Sequence, residues 1–161
     1  MKIPADLKHK PVIVSEDYDK IDGRKSGDTD AMGLSLGLAQ WNDRGNVDIS
    51  AKIWRHTGEK WSRQSEELPF HRVLDLAIMI GRAKLFFQER YHMNEKDYPG
   101  YPHLDRIGLQ GGAMNFSICT DNDKLEDDIK LFDDCLHKDD EILSERMQVL
   151  GGILKELGMV R

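Results

Sequence analysis

An alternating tract in the first half of the chain sets the strongest limit on its fold. From Val47 to Ile53 every second residue is apolar, and the residues between them are polar or charged. A period of two is typical of a β-strand with one buried face. We therefore predict a strand over Val47–Arg55 and, after a turn at Thr57-Gly58, a return strand over Glu59–Ser65.

The predicted hairpin carries two tryptophans among basic and imidazole side chains. A loop of about two or four residues would place Trp54 opposite Trp61, on a face shared with Lys52 and Arg63 and away from the core. Such a face is typical of sites that bind nucleic acid or a planar ligand. We favour the other interpretation of the pair, an aromatic contact that is covered by another element or by a subunit. The candidate ligand-binding residues of the tract are Trp54, Arg55, His56, Trp61 and Arg63.

A proline and a long apolar run predict a helix after the hairpin. Pro69 suits a first helical position, and the run Val73–Gly81 is apolar almost all round except for Asp75. This pattern is typical of a buried central helix. We predict a helix over Pro69–Tyr91 that packs on the sheet.

Shorter patterns complete the prediction of an α+β fold, a single globular domain over residues 1–161 with a small, mainly antiparallel sheet. The added elements are strands over Pro11–Val14 and Met114–Cys119 and a helix over Ala31–Trp41. Gly33 and Gly37 weaken that helix, or else they let another backbone approach closely. Residues 93–114 show no clean period up to the start of the Met114 strand. We predict a long connection there, and we expect it to have a functional role.

The C-terminal end shows two apolar stripes in nearly continuous helical phase. One helix of this length would span about 50 Å, which is too long for a domain of this size. We therefore predict a C-terminal helical pair that breaks near His137–Asp140, with Asp139 as N-cap and Gly158 as the final stop. The alternative is one long helix that pairs with its twin in a dimer.

Charge is divided unevenly along the chain. Residues 121–145 contain eleven acidic residues and three lysines, and the net charge of the whole chain is −6. The acidic balance argues against nonspecific nucleic-acid binding, although the slightly basic remainder keeps that partner open. No apolar run approaches the roughly 20 residues that cross a bilayer, so we expect a cytoplasmic protein without a membrane partner. Cys119 and Cys135 are predicted to be reduced and buried.

Asp75 is the strongest single candidate for chemistry, because a carboxylate on a buried helix needs partners. His71, one turn earlier, would form an oriented acid–base pair or half of a metal site with it. Arg72 or Arg82 would instead form a structural ion pair. The candidate catalytic residues are His71, Asp75 and His103, and Tyr98 and Tyr101 are candidate ligand contacts. The scattered His9, His92 and His137 are predicted to lie at the surface.

Familiar cofactor motifs do not occur in the sequence. There is no phosphate-binding loop, no Gly-x-Gly-x-x-Gly, no Gly-x-Ser-x-Gly and no paired-cysteine metal spacing. We therefore predict neither a cofactor nor a metal.

One tract resembles a known family. The run Ile49–Pro69, continuing through Val73–Leu76, is similar to a tract in small bacterial proteins that are grouped only as a domain of unknown function. The resemblance implies a bacterial, cytoplasmic, stand-alone protein. It implies no activity and assigns no residue a role.

Three functions stay open on this basis. The favoured one is a binding or regulatory module that forms a homo-oligomer through its hairpin or terminal helices and has a small molecule or a protein as partner. The second is a small enzyme, such as a hydrolase, with a pocket between the hairpin, the His71–Asp75 turn and the Tyr98–His103 loop. The third is a nucleic-acid binder that uses Trp54 and Trp61.

Overall fold

A computed structural model describes residues 1–92, 103–109 and 111–161. The chain divides into two compact units, residues 1–78 and 79–161. Within these residues, a four-stranded antiparallel sheet, a two-stranded sheet and three α-helices confirm the predicted α+β class. The prediction of a single domain stays a prediction.

The first unit is built on the four-stranded sheet, whose order is β1-β2-β3-β4 with every neighbouring pair antiparallel. The strands are β1 (Lys10–Glu16), β2 (Ala31–Leu38), β3 (Ile49–Arg55) and β4 (Glu67–Pro69). Two short 3₁₀ turns, Tyr18–Lys20 and Gly23–Lys25, lie in the connection from β1 to β2. The predicted strands near Pro11–Val14 and Val47–Arg55 are therefore present.

The helix predicted over Ala31–Trp41 is wrong, because Ala31–Leu38 form strand β2. Burial alternates along β2, with small residues inward and leucines outward, which is the period of a strand and not of a helix. In the turn just before β2, the Thr29 hydroxyl accepts the Ala31 N–H at 3.1 Å. The helix prediction failed because the apolar residues of this run recur at every second position, which is the spacing of a strand and not of a helix.

The glycines of β2 allow close approach, as the alternative interpretation expected. A Cβ added to Gly37 would overlap the Lys10 carbonyl and lie 2.8 Å from Pro11 Cα. A Cβ added to Gly33 would lie 2.7 Å from the Ile3 side chain, and its nearest backbone atom would be the Ser15 carbonyl oxygen at 3.2 Å. We expect Gly37→Ala to lower the free energy of unfolding by about 2–3 kcal/mol, because the β1 backbone cannot yield as a side chain can.

Gly33→Ala is the matched control for this change and should cost less, since the Ile3 side chain can rotate. Urea unfolding followed by circular dichroism measures both. Equal losses in the two variants would contradict the backbone overlap at Gly37.

The return strand predicted over Glu59–Ser65 is also wrong. A turn closes between Thr57 and Lys60, and a single bridge then pairs His56 with Trp61. The strand that pairs with β3 is β4, and its Glu67 lies opposite Lys52. Trp61 therefore stands opposite His56 instead of Trp54, because the four-residue turn covers residues 57–60, one position later than the turn that the predicted register required.

Helix α1 (Phe70–His92) begins in the first unit and ends in the second, which also holds β5 (His103–Leu109), β6 (Gly112–Ser117), α2 (Leu125–Lys138) and α3 (Asp140–Glu156). β5 and β6 form an antiparallel hairpin, and the sequence showed no period that predicted β5. The predicted C-terminal helical pair and its break are confirmed.

The ends of the C-terminal pair follow the prediction in part. Gly158 has a φ of 70°, and its N–H donates to the Lys155 carbonyl at 3.0 Å, so it stops α3 as predicted. Asp139 occupies the N-cap position of α3 but its side chain makes no capping hydrogen bond. Its N–H still donates to the Cys135 carbonyl, so the residue also completes α2.

Two predictions of burial are wrong. Helix α1 carries exposed apolar side chains along its length, among them Leu74 at 57% exposure, instead of lying buried. Cys119 and Cys135 are exposed as free thiols. The described helices include none that is long and apolar enough to span a membrane.

Candidate functional site

The inner face of the four-stranded sheet is polar and buried. It carries His9, Ser35, Ser50, Trp54 and Glu67, whose side chains are almost completely removed from solvent. Ser35 and Trp54 come from β2 and β3, and Glu67 is the first residue of β4. His9 reaches this cluster from the residue just before β1. We call this set the buried polar cluster.

His9 is the centre of the buried polar cluster. Its Nε2 lies 2.9 Å from the Ser35 hydroxyl, and its Nδ1 lies 3.1 Å from both the Ser50 hydroxyl and Glu67 Oε1. The indole N–H of Trp54 donates to the Ser35 oxygen at 2.8 Å. Because an indole nitrogen can only donate, Ser35 accepts from Trp54 and has its own hydrogen available for His9 Nε2. His9 Nδ1 carries a hydrogen, because the Glu67 carboxylate that it faces can only accept.

The Glu67 carboxylate is surrounded by a hydroxyl, a backbone N–H and an ammonium group. Its Oε1 accepts the Ser50 hydroxyl at 2.7 Å and the Gln40 N–H at 2.9 Å. Its Oε2 lies 3.7 Å from the Lys52 ammonium and has no hydrogen bond among the described residues. The same ammonium lies 4.4 Å from the centre of the Trp54 ring, a cation–π arrangement.

Two opposing effects set the acidity of this carboxylate. Burial opposes ionisation and alone would raise the pKa of Glu67. Hydrogen bonds from the Gln40 N–H, the Ser50 hydroxyl and His9 outweigh burial and hold the pKa of this carboxyl below its usual value. Glu67 is therefore an anion at neutral pH that the cluster is built to receive.

This lowered pKa predicts a loss of stability in acid. Because the folded pKa lies below the ordinary value of 4.5, the contribution of Glu67 to stability is complete above that pH. It is lost as the pH falls through the folded pKa. Urea unfolding followed from about pH 7 down to about pH 3 should show a steeper loss of stability for the natural protein than for Glu67→Gln. Parallel curves would contradict a role for Glu67 ionisation.

The order Glu67–His9–Ser35 has the hydrogen-bond pattern of an acid, an imidazole and a hydroxyl nucleophile. Ser35 is only 2% exposed, however, and its oxygen is occupied by the Trp54 N–H. A substrate carbonyl therefore has no access to this hydroxyl in the described structure. The arrangement supports folding, since it joins the segment before β1 to β2, β3 and β4 through satisfied polar groups.

A second polar group lies at one end of the same sheet. The guanidinium of Arg55 donates to both carboxylate oxygens of Glu66, with Nε–Oε2 at 2.9 Å, and also to Asp30. Hydrogen bonding to Glu66 and then to Asp30 raises the pKa of Arg55 above its usual value, and Arg55 in turn lowers the pKa of Glu66. These three residues border an open pocket of about 500 Å³ with Ser62, Gln64 and Ser65.

The candidate ligand residues of the tract fall into two groups. Trp54 is 1% exposed and faces the inner side of the sheet, so the prediction that it lies on an outward face is wrong. Its ring contacts Trp61 edge-on at 5.9 Å, and Trp61 contacts His56 at 5.1 Å. Arg55 borders the pocket described above, and Arg63 is exposed. The role in ligand binding that was predicted for these five residues of the tract stays a prediction.

The candidate catalytic residues fall in different units, His71 and Asp75 in the first and His103 in the second. His71 is exposed and Asp75 is half-buried on α1, and no hydrogen bond joins these two described residues. His103 is the first residue of β5. Tyr98 and Tyr101 lie outside the described residues, so the predicted loop site is untested.

Sequence reasoning missed most of the buried polar cluster. His9 was expected at the surface, yet it is completely buried. Ser50 and Lys52 occupy the polar positions of the alternating tract, which were expected to face solvent. One signal was available in the sequence. Glu67 is the second of two consecutive acidic residues before Leu68 and Pro69, and the first turn of a helix does not require a second acid.

The outer face of the same sheet is apolar. Register places Ile13, Leu36 and Ala51 in one row across β1, β2 and β3, because directly paired residues point to the same side. We call the following set the outer sheet face: Ile13, Leu34, Leu36, Leu38, Ile49, Ala51, Ile53 and Leu68. Its four most exposed members, Ile13, Leu36, Leu38 and Ile49, are between 38% and 62% exposed.

The second unit has its own polar contacts. Asp133 Oδ1 lies 3.2 Å from His137 Nδ1 on the next turn of α2, and Lys84 of α1 pairs with Asp140. Phe87 is buried beside Phe132, with ring centres 5.4 Å apart. Among the described residues, no group of three or more histidine, cysteine, aspartate or glutamate side chains is arranged to hold a metal ion.

Comparison with known proteins extends the resemblance found in the Ile49–Leu76 tract to nearly the whole chain. The model of a family described as Family of unknown function (DUF6530) matches residues 1–159. No curated protein and no solved structure matches the chain. Since the family model covers nearly all of both units, the chain belongs to the family of unknown function DUF6530.

Proposed function

We propose that this protein is a binding module that self-associates and that its contact surface is the outer sheet face. The observation that carries the proposal is the exposure of an apolar row on a four-stranded sheet, with Leu36 near its middle. The favoured prediction placed self-association on the hairpin or the terminal helices. The sheet face replaces both as the proposed surface.

The distribution of polarity across the sheet supports this proposal. An antiparallel sheet with one face in water normally packs its apolar face inside and leaves its polar face solvated. Here the buried polar cluster occupies the inner face and the leucines of β2 occupy the outer one. Contiguous exposed apolar surface of this kind marks interaction sites in soluble proteins.

A charge placed on the outer sheet face tests the proposal. We expect the natural protein to form a dimer or larger species with rising concentration, as measured by size-exclusion chromatography with light scattering. Leu36→Lys should weaken this association roughly tenfold to a hundredfold, because each copy would bring an ammonium into an apolar contact. Leu36 is itself half-exposed in one copy, so the fold should tolerate the change.

Ile21→Lys is the matched control, since Ile21 is an exposed apolar residue in the β1–β2 connection and not on the outer sheet face. It should leave the association unchanged. A natural protein that stays monomeric at millimolar concentration would overturn the proposal. So would a Leu36→Lys variant that associates as tightly as the natural protein.

A second candidate function is the binding of a small polar molecule. The open pocket of about 500 Å³ beside Arg55 favours it, because the size falls in the range of ligand sites. Asp30 and Glu66 accept hydrogen bonds from the Arg55 guanidinium. Two carboxylates beside one guanidinium leave the pocket with a net negative charge. The ligand this pocket suits is therefore an amine or another cationic molecule.

A further inference from the structure

We infer that the open pocket beside Arg55 is a binding site for a free basic α-amino acid. Such a molecule carries an ammonium and a carboxylate on one carbon atom and a second cationic group on its side chain. This inference rests on the second candidate function, the binding of a small polar molecule in that pocket, and names the class of the ligand. It does not depend on self-association through the outer sheet face.

The first observation is that main-chain hydrogen bonds fix the walls of the pocket. The Ser62 N–H donates to the Arg55 carbonyl at 2.7 Å, and the Ile53 N–H donates to the Glu66 carbonyl at 2.9 Å. The first N–H after β3 donates to the Asp30 carbonyl at 2.8 Å. The three charged side chains of the pocket therefore project from backbone that is held against β3. A ligand that binds between them pays little for ordering the protein.

The second observation is the unused capacity of the Arg55 guanidinium. An arginine side chain has five N–H donors. Glu66 accepts hydrogen bonds from Nε and Nη2, and Asp30 accepts one from Nη1. Among the described contacts one hydrogen on each terminal nitrogen is left over, in a side chain that is 33% exposed. A carboxylate of the ligand has an oxygen for each of these hydrogens, and arginine recognises carboxylates in this way.

The third observation is the unused capacity of the two carboxylates beside the guanidinium. Within the described residues, only Oδ1 of Asp30 takes part in a hydrogen bond, and the side chain is 51% exposed. Glu66 is 47% exposed, and each oxygen of an ionised carboxylate has two acceptor sites. Both carboxylates can therefore accept from a ligand ammonium that lies next to the carboxylate held by Arg55. A free amino acid presents these two groups side by side.

The fourth observation is the charge of the pocket as a whole. Asp30 and Glu66 against Arg55 leave one negative charge over. An amino acid with a neutral side chain does not compensate this charge, whereas a basic one does. The other lining residues, Ser62, Gln64 and Ser65, carry hydroxyl or amide oxygens that accept hydrogen bonds from a cationic side chain. The pocket of about 500 Å³ has room for such a ligand.

Ligands that each lack one group test this assignment by isothermal titration calorimetry on the natural protein. L-lysine should bind, and Nα-acetyl-L-lysine, which has no α-ammonium, should bind roughly tenfold more weakly. The decisive probe is cadaverine, which is L-lysine without its carboxylate and has a higher positive charge. A pocket that only attracts cations binds cadaverine more tightly. An amino-acid site binds it roughly tenfold more weakly than L-lysine, because Arg55 has no carboxylate to hold.

Arg55→Lys tests the residue that holds the carboxylate. The variant keeps the positive charge but has no planar pair of terminal nitrogens, so L-lysine should lose its roughly tenfold preference over cadaverine. Arg44→Lys makes the same change at an exposed arginine that does not line the pocket, and it should keep the preference. Circular dichroism shows whether both variants are folded.

The results separate the amino-acid site from the function on which it rests. Cadaverine that binds the natural protein as tightly as L-lysine, or more tightly, would overturn the amino-acid site and leave the pocket as a site for amines. A preference for L-lysine that survives in a folded Arg55→Lys variant would overturn the role of Arg55. A natural protein that binds neither molecule at about 10 mM would overturn the second candidate function as well.

Discussion

Replacing Glu67 with alanine is expected to lower the free energy of unfolding by about 3–5 kcal/mol, because removal of one partner leaves a buried polar network unsatisfied. The change removes the acceptor of the Gln40 N–H and of the Ser50 hydroxyl. It also leaves His9 Nδ1 without its carboxylate and Lys52 without its ion-pair partner. Urea unfolding followed by circular dichroism measures the loss.

The neighbouring residue provides a matched control. Glu66 also pairs with a cation, Arg55, but its side chain is about half exposed and Arg55 keeps its contact with Asp30. Glu66→Ala should therefore cost only about 0–1 kcal/mol. If the two alanine variants lose similar stability, the buried polar cluster does not hold the sheet together as described.

The fold was predictable where the sequence period matched one structure alone. The alternation of the tract before Arg55 predicted β3, and the stripe of the C-terminal segment predicted α2 and α3 with their break near Asp139. The β2 segment failed because its leucines were assigned to a helix although they recur at every second position. Its glycines were the better indication of a strand, since the close approach of the neighbouring β1 strand needs them.

The candidate site was less predictable, because the sequence period does not reveal which face of a strand is buried. Along β3 the polar positions Ser50 and Lys52 were expected to face water, and they face the interior instead. Their burial depends on His9, which lies far away in sequence and meets them only after the sheet has formed. No local pattern identifies a partner at that separation.

This reversal of faces links stability to the proposed function. An interior held by directional hydrogen bonds positions β1, β2, β3 and β4 without needing all of their leucines and isoleucines. The apolar side chains of β2 are then left on the outside, where a second copy can bury them. The cost of this arrangement is that each member of the buried polar cluster must be satisfied, and Trp54 satisfies Ser35.

Replacing Trp54 with alanine is expected to cost about 3–5 kcal/mol of unfolding free energy, because the side chain is 1% exposed and its removal leaves a cavity. The change also removes the donor to Ser35 and the ring that contacts His9 and Trp61. Trp54→Phe keeps an aromatic ring but no N–H, so its loss should be intermediate. Unfolding should be followed by far-ultraviolet circular dichroism, since both variants change the fluorescence itself.

Trp41→Ala is the control for this series. The Trp41 indole N–H donates to Asp48 at 3.1 Å, as that of Trp54 donates to Ser35, but its side chain is 43% exposed. Its removal should cost about 1 kcal/mol or less, since a loss at the surface opens no cavity. A Trp54→Ala variant as stable as Trp41→Ala would show that Trp54 is not part of the core. It would return the residue to the exposed ligand-binding role that its position among basic side chains first indicated.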